Sequence, residues 1–147
     1  MKNTVTFIGL MSGTSIDSID AVAVTFTHKK LNLLGNYSHS IPAKIKSDIL
    51  TLSEPGLDNV QLLAETDHSL GELFAEASLA LMSQLNPNSK VIVAIGSHGQ
   101  TIRHQPPCIK PGSSLQIGNP TQHSAVTGGP VSAALHPNDN AHGGHGV

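Results

Sequence analysis

The densest chemistry in the sequence lies near its start, where Gly13, Thr14, Ser15, Asp17 and Asp20 share one short polar segment between two β-type runs. Gly13 allows a tight bend, Thr14 and Ser15 offer hydroxyls and main-chain N–H groups, and Asp17 and Asp20 offer carboxylates. Such a set suits a phosphate with its Mg²⁺: donors face the anion while carboxylates hold the metal or its waters. The same residue types also build ordinary polar hairpin turns. A Walker A loop is excluded, because no Gly-Lys-Ser/Thr follows the bend. A second group surrounds His98, namely Ser97, Gln100 and Thr101, with Gly96 and Gly99 letting the backbone approach a ligand. Imidazole, amide and hydroxyls can read sugar hydroxyls; the alternative is a strand-end turn holding a satisfied histidine. Arg103 offers a guanidinium to an anionic group. Near the other end, His136, His142 and His145 stand with Asp139. That set could ligate a metal, but its Gly/Asn/Pro-rich surroundings predict disorder.

Regular elements must position these groups. Thr4–Leu10 and Ile19–Thr27 read as strands on either side of the first polar segment. In the second, Ala21, Ala23, Thr25 and Thr27 alternate with Val22, Val24 and Phe26, the period of a half-buried strand. After a turn at His28-Lys29-Lys30, Leu31–Ile41 reads as a third strand, so a β-meander opens the chain. Ile45, Ile49 and Leu52 predict a helix over Ala43–Ser53. Asp58, with Gln61 three residues on, could cap a long second helix from Val60 to about Leu85. Its apolar stripe is Leu63, Leu70, Phe74, Ala77 and Leu81, widened by Leu62, Leu73 and Met82. Glu65, Asp67, Glu72 and Glu76 lie off that stripe, toward water. Asn86 to Ser89 reads as a loop, and Val91–Ile95 as a short buried strand that delivers Ser97 and His98 at its C-terminal end, where open α/β sheets place ligand groups.

Composition sets the outer limits. A chain of 147 residues with 38% hydrophobic residues can build one real core. Aromatic content is 3% with no Trp, so Leu, Ile, Val and Ala must fill that core. The net charge of −2 and the absence of a basic stripe argue against a nucleic-acid partner. No apolar run approaches the roughly 18 residues of a spanning helix, so no membrane partner is expected. The short N-terminal run does not read as a signal peptide. The lone Cys108 has no internal disulfide partner, in keeping with a cytoplasmic location.

Three stretches resemble one family in order: Gly9-Leu10-Met11-Ser12-Gly13-Thr14-Ser15-Ile16-Asp17-Ser18-Ile19-Asp20, then Ala94 to His104 followed by Pro106 and Pro107, then Leu115-Gln116-Ile117-Gly118-Asn119-Pro120. They are similar to the anhydro-N-acetylmuramic acid kinases, of the sugar kinase, Hsp70 and actin superfamily. The resemblance runs from about residue 5 to 128 and only weakly beyond. It implies an α/β fold: an actin-like ATPase (ribonuclease H-like) lobe, its mixed sheet opened by the β-meander and packed with helices. Residues 1–128 would form this lobe and 129–147 a degenerate tail. It also implies an ATP- and Mg²⁺-dependent kinase that hydrolyses the 1,6-anhydro ring of 1,6-anhydro-N-acetylmuramic acid and phosphorylates the product to N-acetylmuramate 6-phosphate in peptidoglycan recycling. Carried over by position, Gly13, Thr14, Ser15, Ile16, Asp17, Ser18, Ile19 and Asp20 form the nucleotide-phosphate segment, with Asp17 serving Mg²⁺. Ser97, His98, Gln100 and Thr101 lie at the sugar site, where Arg103 would pair with a lactyl carboxylate. His104 comes with that motif, and Gln116 belongs to the third.

The departures from the family pattern are as specific as the matches. Ser18 stands where the family has Gly; if that position needs a positive φ, serine costs about 1 kcal/mol. Asn119 stands where the family has Asp. Thr127-Gly128 and Gly143-Gly144-His145-Gly146 keep the family's frame, but between them Ala134 replaces the catalytic aspartate. His136 and Pro137 replace two arginines, and Asp139 alone matches an acid, leaving it as the weak remaining candidate for a base. Loss of a general base costs about 10² to 10⁴ in rate. The chain is also shorter than members of the family, with no counterpart of their C-terminal lobe. The resulting expectations are an inactive lobe with weak nucleotide and sugar binding as the alternative to the kinase, and an apolar face that would favour self-association.

Overall fold

The computed structural model of the protein describes residues 5–27, 30–56, 59–86, 91–105 and 112–144. Strands β1 (Thr6–Ser12), β2 (Ser18–Thr27) and β3 (Lys30–Ser40) pair antiparallel in succession, which is the meander that three β-type runs predict. β4 (Ile92–Ser97) then joins β1 in parallel, and β7 (Val131–Ser132) joins β4 in parallel. The result is a mixed five-stranded sheet in the order β3-β2-β1-β4-β7. β5 (Gln100–Gln105) and β6 (Ser113–Ile117) form a separate antiparallel hairpin. Helices α1 (Ala43–Ser53), α2 (Val60–Gln84), α3 (Pro120–Thr127) and α4 (Leu135–Ala141) complete the described residues, giving a mixed α/β fold.

Side-chain size decides which face of the sheet receives the helices. Ala21, Ala23 and Thr25 are buried, whereas Val22 and Phe26 are exposed on the opposite face. Small residues let α2 come close, and Gly35 does the same on β3, lying beneath Leu81 and Leu85. Leu70, Phe74, Ala77 and Leu81 of α2 are fully buried with Ile19, Ile49 and Ile95, each large side chain contributing about 1.5–3 kcal/mol. Leu62, Leu63 and Met82 pack partly buried at the edge of this cluster. The outward face carries Val22, Phe26, Leu31 and Leu33, all exposed.

Asn59 caps α2, its side chain accepting from the Leu62 N–H at 3.0 Å. The expected cap, Asp58, lies outside the described residues, as do the His28-Lys29 turn and Pro87 to Ser89. The stretch from 129 onward differs from expectation. Instead of disorder it carries β7 and α4 among its described residues, and β7 pairs Val131 with Ile95 across the expected boundary at 128. That order comes from a neighbouring strand 36 residues away in sequence (131 − 95), which local composition does not register. No helix among the described residues is long and apolar enough to cross a membrane.

Candidate functional site

Parallel pairing of β1 with β4 puts Leu10 beside Ser97, so the chain leaves both strands at the same edge of the sheet. The two polar motifs therefore meet. The His98 N–H donates to the Leu10 carbonyl at 2.9 Å, and Ser12 Oγ donates to the buried Gln100 Oε1 at 2.6 Å. Between them opens a cavity of about 420 Å³, walled by Ser12, Gly13 and Thr14 on one side and by His98, Gln100 and Thr101 on the other. His104, Ser114 and His136 complete its rim.

The first loop differs from expectation in where its bend is made. Ile16, not Gly13, takes the left-handed conformation, with φ 53°, and its N–H donates to the Gly13 carbonyl at 3.1 Å. Ile16 tolerates this because its side chain is anchored in the core, 5% exposed. Ser18 begins β2 opposite Ser40 and is not among the positive-φ residues, so the anticipated serine strain does not arise. Ile16 and Ile19 point into the core and leave only backbone to the loop. Asp17 is exposed at the loop, its carboxylate held by Lys46 of α1. Hydrogen bonds from Lys46 and then Ser15 keep its carboxyl below the ordinary carboxylate value. Asp20 lies one strand residue beyond Ile19, on the outward face, accepting from Ser38 Oγ at 2.8 Å. The two acids thus do not converge on one ion.

The second wall is built by the β4–β5 connection against β6. Gly99 has φ 72°, and a Cβ there would stand 2.5 Å from the Ile117 carbonyl oxygen, so only glycine lets the two segments approach. Thr101 Oγ1 accepts from Gln116 Nε2 at 3.0 Å. A smaller adjoining cavity of about 160 Å³ is lined by Ser97, His98, Gln116, Gly118, Asp67 and Ala134. Two buried polar atoms there, Ser97 Oγ and Gln116 Oε1, have no hydrogen-bond partner among the described residues. One is a hydroxyl able to donate and the other a carbonyl able to accept.

Several side chains sit where the sequence did not place them. Asp67 turns inward rather than toward water, its carboxylate accepting from the Gly118 N–H at 2.9 Å and its carbonyl from the Asn119 N–H at 3.1 Å. Asn119 caps α3, its Oδ1 accepting from Thr121 and Gln122 N–H at 3.0 Å each, a role that aspartate and asparagine fill equally. Arg103 is directed away from the cavity: its guanidinium donates to the Leu52 and Glu54 carbonyls at the C-terminal end of α1, at 3.2 and 3.3 Å. His123, which sequence reasoning missed, is fully buried; its Nε2 lies 2.8 Å from Ser78 Oγ, and burial pushes it down to about 4. The position of His123 on α3 facing α2 carries no local sequence signal.

The late histidines do not gather. His136 turns back to His98, with Nε2 to Nε2 at 2.5 Å, while His142 Nδ1 lies 2.8 Å from the Asn138 carbonyl. Among the described residues no group of three ligating side chains could hold a metal, and His145 lies outside them. Asp139 is exposed on α4 and lines neither cavity. Ala134 adopts φ 59° and ψ 40° at the start of α4, lining the smaller cavity with a methyl group.

Fold and cleft define an α/β protein whose polar cavity-lining groups gather where two adjacent parallel strands end, the usual place for a site in such sheets. The family model described as anhydro-N-acetylmuramic acid kinase matches residues 5–147, and the chain belongs to that family. Similar proteins named anhydro-N-acetylmuramic acid kinase come from Shewanella denitrificans at 42% identity, Aliivibrio fischeri at 43% and Shewanella woodyi at 44%. Each match covers 141 residues, which is 96% of this chain and 38% of the relative, so the chain spans about two fifths of their length.

Proposed function

We propose that this chain is the phosphate- and sugar-binding lobe, of the sugar kinase and actin type, of an ATP-dependent kinase acting on 1,6-anhydro-N-acetylmuramic acid. In that reaction water opens the 1,6-anhydro ring and the freed 6-oxygen takes the γ-phosphoryl group, giving N-acetylmuramate 6-phosphate. The name shared by the relatives supports the substrate. One observation carries the reading for this chain: Gly13 and Thr14 of the first motif and His98, Gln100 and Thr101 of the second wall the same cavity.

ATP with Mg²⁺ would supply the phosphoryl group and offset the charge on its oxygens. Thr14 and Ser15 would turn their hydroxyls toward the phosphates. Asp17 suits Mg²⁺ or its waters, because Lys46 and Ser15 keep it ionised at an exposed position and Mg²⁺ needs only one or two carboxylates beside phosphates and water. Asp20, on the outward face, would take no part. In the smaller adjoining cavity, Ser97 Oγ and Gln116 Oε1 are buried with no hydrogen-bond partner among the described residues. The cytoplasm, which supplies ATP, is the compartment this reading assigns.

Nuclear magnetic resonance tests the two walls separately. Mg·ATP should shift the amides of Thr14 and Asp17, and N-acetylmuramic acid those of Ser97 to Thr101 and Gln116. Shifts that gather elsewhere and leave Thr14 and Asp17 unmoved would remove the phosphate-loop assignment. Ala134 favours a second reading of turnover alone. The family resemblance gives position 134 to the base that deprotonates the attacking water, and a methyl group accepts no proton. On that reading the 147-residue chain binds without forming phosphorylated product, and robust product formation in a coupled assay would overturn it.

A further inference from the structure

The cavity that receives the two motifs contains three imidazoles and no acid. His98, His104 and His136 line it with the hydroxyls of Ser12, Thr14, Thr101 and Ser114, and no lysine, arginine or carboxylate lines it among the described residues. The His98–His136 contact has a defined proton order. His98 Nδ1 lies 3.1 Å from the Gly99 carbonyl, which only accepts, so Nδ1 carries the proton and Nε2 presents a lone pair. His136 Nε2, 2.5 Å away, is therefore the donor, and its Nδ1 is the bare nitrogen. The His104 ring lies 6.4 Å from that of His136. The His98–His136 contact engages neither His136 Nδ1 nor the His104 ring.

Among the described residues, no carboxylate lines the cavity with these imidazoles. From α2, Asp67 walls the neighbouring cavity beside His98, but its carboxylate is engaged by the Gly118 N–H. From α4, Asp139 stands three residues after His136 and lines neither cavity. In the first loop and β2, Asp17 is held by Lys46 and Asp20 by Ser38. Arg103, which the sequence offered for an anionic group, is occupied at the end of α1.

We propose that His98, His104 and His136 form an oxyanion-binding subsite of this cleft, which gains its charge by taking up a proton as the anion binds. The proposal rests on the reading of the cleft as a sugar and phosphate site. Where the family resemblance places an arginine, charged at every working pH, His136 provides a cation only when protonated. The anion is the carboxylate of a sugar acid or the terminal phosphate of a nucleotide, which present the same acceptor oxygens.

Calorimetric titration of the whole chain with N-acetylmuramic acid, N-acetylglucosamine and ATP, at about pH 5.5 and about pH 7.5 on either side of the ordinary imidazole range, separates the cases. N-acetylmuramic acid should bind several-fold tighter at the lower pH, because a proton added to the cluster gives the carboxylate a cation. N-acetylglucosamine, which lacks the lactyl carboxylate, should not change. At the higher pH the complex should take up a proton, read from the dependence of heat on buffer ionisation. His136→Arg should hold the tight binding at both pH values, and His136→Gln should lose it at both, with unchanged amide spectra for α4 showing that each variant is folded. If ATP instead shows the pH- and His136-dependent gain, the subsite stands and its anion is phosphate. If the acid, the neutral sugar and ATP bind without dependence on pH or His136, the subsite is refuted while the sugar and phosphate reading survives. If none of them binds, both fall.

Discussion

Alanine at Gly71 is expected to destabilise the protein even though it is the better helix former. Gly71 is buried in the middle of α2, where that helix passes the start of α3. On propensity alone the change gains about 1 kcal/mol. The added methyl, however, would lie 2.8 Å from the Asn119 carbonyl oxygen, 3.0 Å from its Cβ and 3.1 Å from its nitrogen. Two of these atoms are backbone and cannot rotate away, so the start of α3 must retreat. Overpacking of a filled interior costs about 1–3 kcal/mol. Retreat also stretches the Asn119 and Gly118 N–H bonds to Asp67, worth about 1 kcal/mol for the neutral one and about 1.5–3 for the one to the carboxylate. Set against the propensity gain, the net loss is about 1–3 kcal/mol if only part of that bonding goes. At about 2–4 °C per kcal/mol for a chain of this size, the melting temperature should fall by roughly 2–12 °C. Thermal and urea unfolding followed by circular dichroism measure it, and N-acetylmuramic acid binding should weaken in step because Gly118 and Asp67 wall the smaller cavity. An unchanged or raised melting temperature would refute the argued contact between α2 and α3.

The remaining predictions concern charge and backbone strain. His123 is held at about 4 in the fold against an ordinary 6.5. The unfolded chain therefore binds more protons between those values, and His123 should remove up to about 3 kcal/mol of stability as pH falls from 6.5 to 4. His123→Gln should flatten that slope in urea titrations, and an equal slope would locate the effect elsewhere. Lys46→Met should raise the Asp17 pKa toward the ordinary carboxylate value in an NMR titration; a pKa that stays low would show that Lys46 is not its cause. Ala134→Asp should stabilise the chain by about 1 kcal/mol, because aspartate accepts the left-handed conformation more readily than alanine does, and a lower melting temperature would contradict this.

How much of the protein is legible in its sequence depends on how local the decisive forces are. The β-meander, α1 and α2 follow from periods of 2 and 3.6, since every second or every third to fourth side chain must reach one core. α1 runs over the expected Ala43–Ser53, and the strands shift by only one or two residues. The glycine- and hydroxyl-rich segments at 13–17 and 96–101 stand out in the sequence as candidates for chemistry, because their residue types serve ligands better than cores. The order of family motifs was legible in the same way.

The tertiary structure alone decided how these pieces meet. β5 and β6 are polar strands stabilised by each other, and β7 is two residues long, so neither carries a periodic signal of its own. The two motifs share a cavity only because β1 and β4 pair in parallel across more than eighty residues of chain (95 − 8 = 87). Asp67 faces inward because α3 offers it N–H groups, Arg103 leaves the cavity because the end of α1 offers carbonyls, and His136 reaches His98 because α4 packs beside β6. In each case the deciding partner lies more than thirty residues away, and a polar side chain goes to whichever unsatisfied group the fold brings near. Residue type and spacing determined which chemistry this chain could hold; the pairing of distant strands and helices determined which of those groups face one another.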